Sequence, residues 1–365
     1  MRPLEEPIAA LLPEVTALRR DLHARPELGF EEKRTAETIL KCLEGIEGLS
    51  VRTGVAGTGI VATLGADLPG PCVALRADMD ALPMEETSGV SWSSKEPGKA
   101  HACGHDGHVA MLVGAARILG GLQDELRGPV RFLFQPAEEG GGGGGIMCRE
   151  GALKDPDVQA VFGLHNNLPD GTTKAGQIRY VPGAAMAGTG TFDIEITGQG
   201  GHAALPHRCI DPLYVGACVV DQLQGIVSRR INPLVPAVVS VTRFHAGTAY
   251  NIIPHRVQLA GTFRALDDAV LDQLREAIVE RVRGVAEAHG AAVRIRCERG
   301  YPVLRNSERA IAIFRAILGE TGDLERVAEA DPVMGGEDFA YFAEAVPGLF
   351  YWLPSCPEGC ASVPS

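Results

Sequence analysis

The apolar positions of the chain follow two rhythms that change over along its length. In the first half, stripes of helical spacing alternate with short apolar runs. Residues 4–23, 35–43 and 109–119 carry the stripes. Residues 51–53, 60–64, 73–77, 130–134 and 158–164 are short apolar or β-branched runs that predict buried strands. Strands alternating with helices predict an α/β layer with a largely parallel sheet. Near residue 183 the texture shifts. Residues 191–197 alternate with period two, 212–227 are helical, 237–244 and 257–263 are strand-like, 271–289 form a long helix and 293–297 a strand. That β-α-β-β-α-β order suits a small sandwich of two helices on an antiparallel sheet. Beyond residue 301 the pattern predicts helices over 307–318 and 337–345 and a strand over 349–353. The economical division is one α/β domain, residues 1–182 plus 298–365, interrupted by an inserted domain over 183–297.

Composition narrows the function classes. A chain of 365 residues suits about two domains. A net charge of -12 argues against a nucleic-acid surface. No apolar stretch reaches the roughly 18 residues of a membrane-spanning helix, and the acidic start is not a secretory leader. The nine cysteines are odd in number and lack disulfide-type spacing. Reduced thiols in a cytoplasmic protein are the expectation. The six glycines of 140–145 read as a linker by composition, but as a site loop by position, directly after two carboxylates.

Candidate chemistry collects where strands end. Residues 101–108, His-Ala-Cys-Gly-His-Asp-Gly-His, precede a helix; thiolate and neutral imidazole are good ligands for zinc-like cations. Cys103 and His105 are spaced to face one point, and His101 and His108 are the weaker members. Strand 130–134 runs into Glu138 and Glu139. In an extended segment adjacent residues point oppositely, so one carboxylate would hold metal while the other faces a water. His165 follows strand 158–164. Asp78 follows strand 73–77 and is placed to hydrogen-bond a ligating imidazole. Each signal alone also fits a capped helix, an acidic turn or a packing histidine. Together, at four strand exits, they select a metal site. No Walker lysine and no G-x-G-x-x-G after a strand point to phosphate chemistry.

These residues resemble the M20 metallopeptidase family, in its branch of hippurate hydrolases, N-acyl-amino-acid amidohydrolases and auxin-conjugate hydrolases. The matching stretches are RRDLHARPELGFEE (19–32), LRADMDALPMEE (75–86), HACGHDGHVAML (101–112), FLFQPAEEG (132–140), GLHN (163–166), GQGGHAALPH (198–207), NIIP (251–254), GTFR (261–264) and GGEDFAYF (335–342). The resemblance implies two divalent metal ions, from among Zn, Mn, Ni and Co. Cys103 would bridge them, with His105, Glu139 and His165 as further ligands. Glu138 would be the general base and Asp78 the acid that orients a ligand. His202 would reach the active site of the partner subunit. Asn251 and Arg264 would lie near the substrate's carboxylate or oxyanion. The inserted domain would be a ferredoxin-like α+β lid and dimerisation domain, making a homodimer or a dimer-based tetramer. The implied reaction is hydrolysis of the amide bond of N-acyl amino acids, of hippurate or N-acetyl type. The alternatives are a dipeptidase or carboxypeptidase of the same fold, disfavoured by the cysteine at 103, and a catalytically impaired dimer that binds small carboxylates.

The last alternative arises from a departure. The family pattern continues after the last strand with Leu-His-x-Pro, whose histidine completes the metal shell, and then a strand and a helix. Here residues 351–365 read YWLPSCPEGCASVPS, with no histidine after His289. Three expectations compete: a shortened or frame-shifted product, a chain that binds one metal weakly and is inactive, or substitution by Cys356 or Cys360.

Overall fold

The computed structural model describes residues 4–166 and 175–354. Cys356 and Cys360 lie outside the described residues. The chain divides into two compact units: Met1–Gly183, Arg305–Asp331 and Asp338–Ser365 form one, and Ala184–Leu304 with Pro332–Glu337 form the other.

The first unit is built on an eight-stranded sheet. From edge to edge its strands are Leu49–Val55, Gly59–Leu64, Val130–Gln135, Cys72–Asp78, Val158–His165, Gly348–Trp352, Ile178–Tyr180 and Val327–Glu329. The four from Val130–Gln135 to Gly348–Trp352 run parallel, and antiparallel strands flank them. Every residue of Gly59–Leu64 is buried, as expected of a strand covered on both faces. Helices Glu5–His23, Lys33–Leu43 and His105–Gly120 cover one side. They pack Leu22, Ile39, Leu43, Val109 and Val113 onto Ile60, Ala62, Phe132 and Phe134. Each such side chain contributes about 1.5–3 kcal/mol by leaving water.

The glycine run differs from both expectations. Residues 140–142 turn, and Gly143 opens a short helix, Gly143–Arg149, whose first three glycines are buried. The helix expected over 337–345 begins only at Ala340.

The second unit is an antiparallel sheet in the order Ala237–Ala246, Arg256–Ala265, Gly188–Thr197, Ala292–Arg299. Helices Pro212–Arg230 and Asp268–Ala288 pack on it. Both start on an aspartate cap: Asp211 accepts from the Leu213 and Tyr214 amides, and Asp267 from those of Ala269 and Val270. Pro212 then sits where its missing N–H costs nothing. Between the layers lie Phe192, Ile194, Ile196, Leu223, Phe263, Leu274 and Ile278. Among the described residues no helix is long and apolar enough to cross a membrane.

Candidate metal centre

Three parallel neighbours of the larger sheet, Val130–Gln135, Cys72–Asp78 and Val158–His165, end side by side, with Gln135 opposite Asp78 in the register. Loops leaving the carboxyl ends of such strands meet where ligands bind in α/β folds. Helix His105–Gly120 also starts there, capped by Gly104 at φ 90. A Cβ at Gly104 would lie 2.2 Å from Asn166 Nδ2, so conformation and space both demand glycine.

The side chains converge. Cys103 Sγ and His165 Nε2 are 3.3 Å apart. Metal-capable atoms of Cys103, His105 and His165 all lie within 4.8 Å of one another, as do those of His105, Glu138 and Glu139, and those of Asp78, His105 and His108. His105 belongs to all three groups. Its Nδ1 donates to the Asp80 carbonyl at 2.9 Å, which leaves Nε2 as the lone-pair nitrogen. Among the described residues that Nε2 is buried without a hydrogen-bond partner, and so is Glu139 Oε1. Buried polar atoms of this kind are rare and call for an explanation. A divalent cation supplies one, and thiolate, imidazole and carboxylate suit a zinc-like ion.

The turn carrying the two glutamates is not the extended segment expected from the sequence. Ala137 has φ 52, and the Gly140 amide bonds back to the Glu138 carbonyl at 2.7 Å. The chain therefore turns, and Glu138 and Glu139 both reach the His105 group instead of facing apart.

Burial and neighbouring charge set how these groups titrate before any cation binds. Burial raises the Cys103 thiol and the Glu139 carboxyl above their ordinary values. Burial pushes His165 down to about 3, which keeps it neutral and able to donate a lone pair. At His105 burial opposes the charge, but Asp78 and Asp80 outweigh it and hold the imidazole well above its ordinary range, so a cation binding at Nε2 would displace a proton from it.

Behind these groups runs a buried polar chain. The Arg76 guanidinium donates to Asp78 at 2.6 Å, to Gln135 at 2.7 Å and to Asp338 at 3.0 Å. Asp338 also accepts from the Gly144 amide at 2.9 Å. Burial disfavours the Asp78 carboxylate, but Arg76, His105 and His108 together hold it well below the usual range. Asp78 Oδ1 accepts from His108 Nδ1 at 2.6 Å, and His108 Nε2 accepts from the Asn166 amide at 3.0 Å. Both nitrogens of His108 are thus occupied. The hydrogen bond of Asp78 goes to His108, while His105 lies 3.6 Å from its other oxygen.

His202, Asn251 and Arg264 lie in the second unit. The short strands Gly201–His202 and Ile252–Ile253 pair so that His202 faces Ile252, and the Ala203 amide donates to the Asn251 carbonyl at 3.0 Å. This places His202 and Asn251 on one ribbon, both exposed. Arg264 sits in strand Arg256–Ala265 and donates to the Met334 carbonyl at 2.9 Å. Sequence reasoning missed Arg76, Gln135 and Asp338. Arg76 stands in a strand that reads as apolar, and only its charge in that setting hints at a buried partner.

A mainly parallel sheet with thiol, imidazole and carboxylate groups at its strand ends defines a metal-dependent hydrolase. Residues 74–364 match peptidase family M20/M25/M40, and the chain belongs to that family. It is 44% identical over 297 residues to an N-acyl-L-amino acid amidohydrolase of Geobacillus stearothermophilus, covering 81% of this chain and 79% of the relative. It is 41% identical over 345 residues to IAA-amino acid hydrolase ILR1-like 4 of Arabidopsis thaliana, covering 93% and 76%. Its fold is similar to the crystal structure of the Bacillus subtilis YXEP protein, described as a dinuclear metal binding peptidase of the M20 family. That likeness has a TM-score of 0.78 at 33% identity and covers 95% of this chain and 89% of that one. The chain is an enzyme of metal-dependent amide hydrolysis.

Proposed function

We propose that the protein hydrolyses the amide bond of N-acyl amino acids, releasing a carboxylic acid and a free amino acid. The observation that carries this reading is the convergence of Cys103, His105 and His165 with Glu138 and Glu139, where buried His105 Nε2 and Glu139 Oε1 have no hydrogen-bond partner among the described residues. The acylamino-acid names of the relatives support the substrate class. Cys103, His105, Glu139 and His165 are the residues that would hold two divalent ions. Such ions lower the pKa of water and polarise a carbonyl.

The remaining steps belong to the chain's own groups. Glu138 accepts a proton from the attacking water and passes it to the departing amine. Asp78 orders the imidazoles through His108 and the charge it presents to His105. In a dimer, His202 of the partner subunit would donate to the developing oxyanion. Asn251 and Arg264 hold the free carboxylate, Arg264 through parallel N–H donors.

The test is a panel of N-benzoylglycine, N-acetyl amino acids and dipeptides, incubated with metal-loaded protein while free amino acid is measured. Metal-dependent release from acyl amino acids, abolished by chelator, is expected. Turnover confined to dipeptides would move the protein to the peptidase branch, and no turnover of any member would sink the reading.

A further inference from the structure

The Glu138–Glu139 turn is held from outside by a segment that contributes to none of the metal-capable groups found among the described residues. Glu32 is fully buried. Its Oε1 accepts the Ala137 amide at 2.9 Å and its Oε2 accepts the Thr58 hydroxyl at 2.6 Å. A capping role does not explain this carboxylate. Glu32 stands at the N-cap of helix Lys33–Leu43 but makes no side-chain capping bond. The amides of Arg34 and Thr35 are capped by Glu27 instead, at 3.1 and 2.8 Å.

Backbone strain marks the same contact. Ala137 at φ 52 and Phe30 at φ 65 occupy the left-handed region that glycine favours. Such outliers persist where the surroundings over-determine them, and they cluster at functional sites. A Cβ on Gly29 would lie 3.0 Å from Ala137 Cβ. A Cβ on Gly141 would lie 2.6 Å from Ala137 Cβ and 2.9 Å from the Phe30 ring. Residues 29–32 therefore dock directly on the turn. On its other side the Glu139 amide donates to Asp80 Oδ2 at 2.9 Å. The amides on either side of Glu138 are thus gripped by two buried carboxylates. The grip opposes a real force, because Glu138 and Glu139 lie within 4.8 Å of each other and repel when both are charged.

We propose that Glu32 is a positioning residue for the Glu138–Glu139 pair, fixing the turn through the Ala137 amide so that both carboxylates face the Cys103 and His105 cluster. The proposal rests on the metal reading given above. It assigns Glu32 no contact with substrate or ion.

Three variants and a metal titration test it. Metal-free protein is titrated with Zn2+ against a chromogenic chelator, and thermal stability is followed in parallel. Glu32→Met keeps the bulk and removes the acceptor; the dissociation constant for Zn2+ should rise about 10–100-fold, the range seen when a group supporting a ligand is lost. Glu32→Gln keeps an oxygen for the Ala137 amide and should bind close to wild type. Glu32→Asp withdraws the carboxylate by one methylene and should weaken binding; it decides the matter should the methionine variant fail to fold. Wild-type affinity in the variants lacking the contact, even with lower stability, would overturn the proposal and leave Glu32 a core residue. A glutamine variant as weak as the methionine variant would also overturn it. Failure of the wild-type chain to take up metal would overturn the metal reading together with this one, whereas wild-type uptake with unchanged variants overturns this one alone.

Discussion

The candidate residues of the two units are held in opposite ways. Those of the larger unit are buried or half-buried and bound on several sides: Asp78 alone receives Arg76 and His108, and His108 is fixed in turn by the Asn166 amide. Those of the smaller unit are loosely tethered. His202 is exposed, sits on a two-residue strand and accepts one local bond from the Ala204 amide at 3.1 Å. Buried charge needs partners whatever its function, because an unpaired ion in a protein interior is very costly. An exposed histidine needs none. The contrast teaches that the first set is pre-arranged by folding, while the second depends on what it meets.

Substitutions can break or sharpen this contrast, and the largest effect is expected at Cys103. Cys103→Ala should cost roughly 1,000-fold or more in kcat/KM, since it removes charge stabilisation worth several kcal/mol. Metal content measured by elemental analysis should fall in parallel, and full occupancy would contradict a ligand role. Next comes the support chain. Arg76→Met leaves Asp78 and Asp338 buried without their cation and should lower stability by about 3–5 kcal/mol in urea unfolding. A neutral result would show the network to be dispensable.

The exposed set should behave otherwise. His202→Ala should lower kcat about 100-fold while stability changes by no more than about 0.5 kcal/mol. Equal losses in both would erase the distinction between the units. The smallest effect is pH-dependent and belongs to the buried set. His23 Nδ1 lies 2.8 Å from Asp106 and Nε2 lies 3.1 Å from Glu86. The Asp106 hydrogen bond leads in raising its pKa, against the opposing effect of burial. A raised folded value means the stabilisation is fully present below about 6.5, the unfolded value, and is lost as pH rises through the folded one. His23→Gln should therefore cost about 1–3 kcal/mol near pH 6 and less near pH 9, measured by urea unfolding at both. A cost that grew with pH would mean the ring is held neutral.

Much of this could be read from the chain, and the unread part has a physical pattern. Periodicity placed the main strands and helices because burial imposes it locally. The strand-end rule selected Asp78, Glu138, Glu139 and His165, since a strand's exit is visible in its own residues; Cys103 and His105, expected at a fourth strand exit, stand instead at the start of helix His105–Gly120. What escaped depends on residues distant in sequence. Arg76 and Asp338 are 262 positions apart, and Glu32 meets Ala137 across 105. The left-handed Ala137 escaped too, because alanine gives no local sign of it. The last two strands of the larger sheet, Ile178–Tyr180 and Val327–Glu329, are only three residues long, too short to show alternation.

The glycine run has a further consequence, for anyone who would engineer this protein. Six identical letters conceal unequal tolerances. A side chain at Gly140 would meet nothing within 4 Å, but its φ of 90 strains any residue that carries one. One at Gly143 would lie 1.8 Å from the Pro136 carbonyl, one at Gly144 2.9 Å from the Asp338 carbonyl, and one at Gly145 3.1 Å from the Tyr341 ring. A saturation library across these codons should be most tightly closed at Gly143, restricted by backbone strain at Gly140 and Gly142, and crowded at Gly141 by Ala137 and Phe30. The stretch that looks most expendable in the alphabet is closed to most side chains, and inserts or tags belong elsewhere.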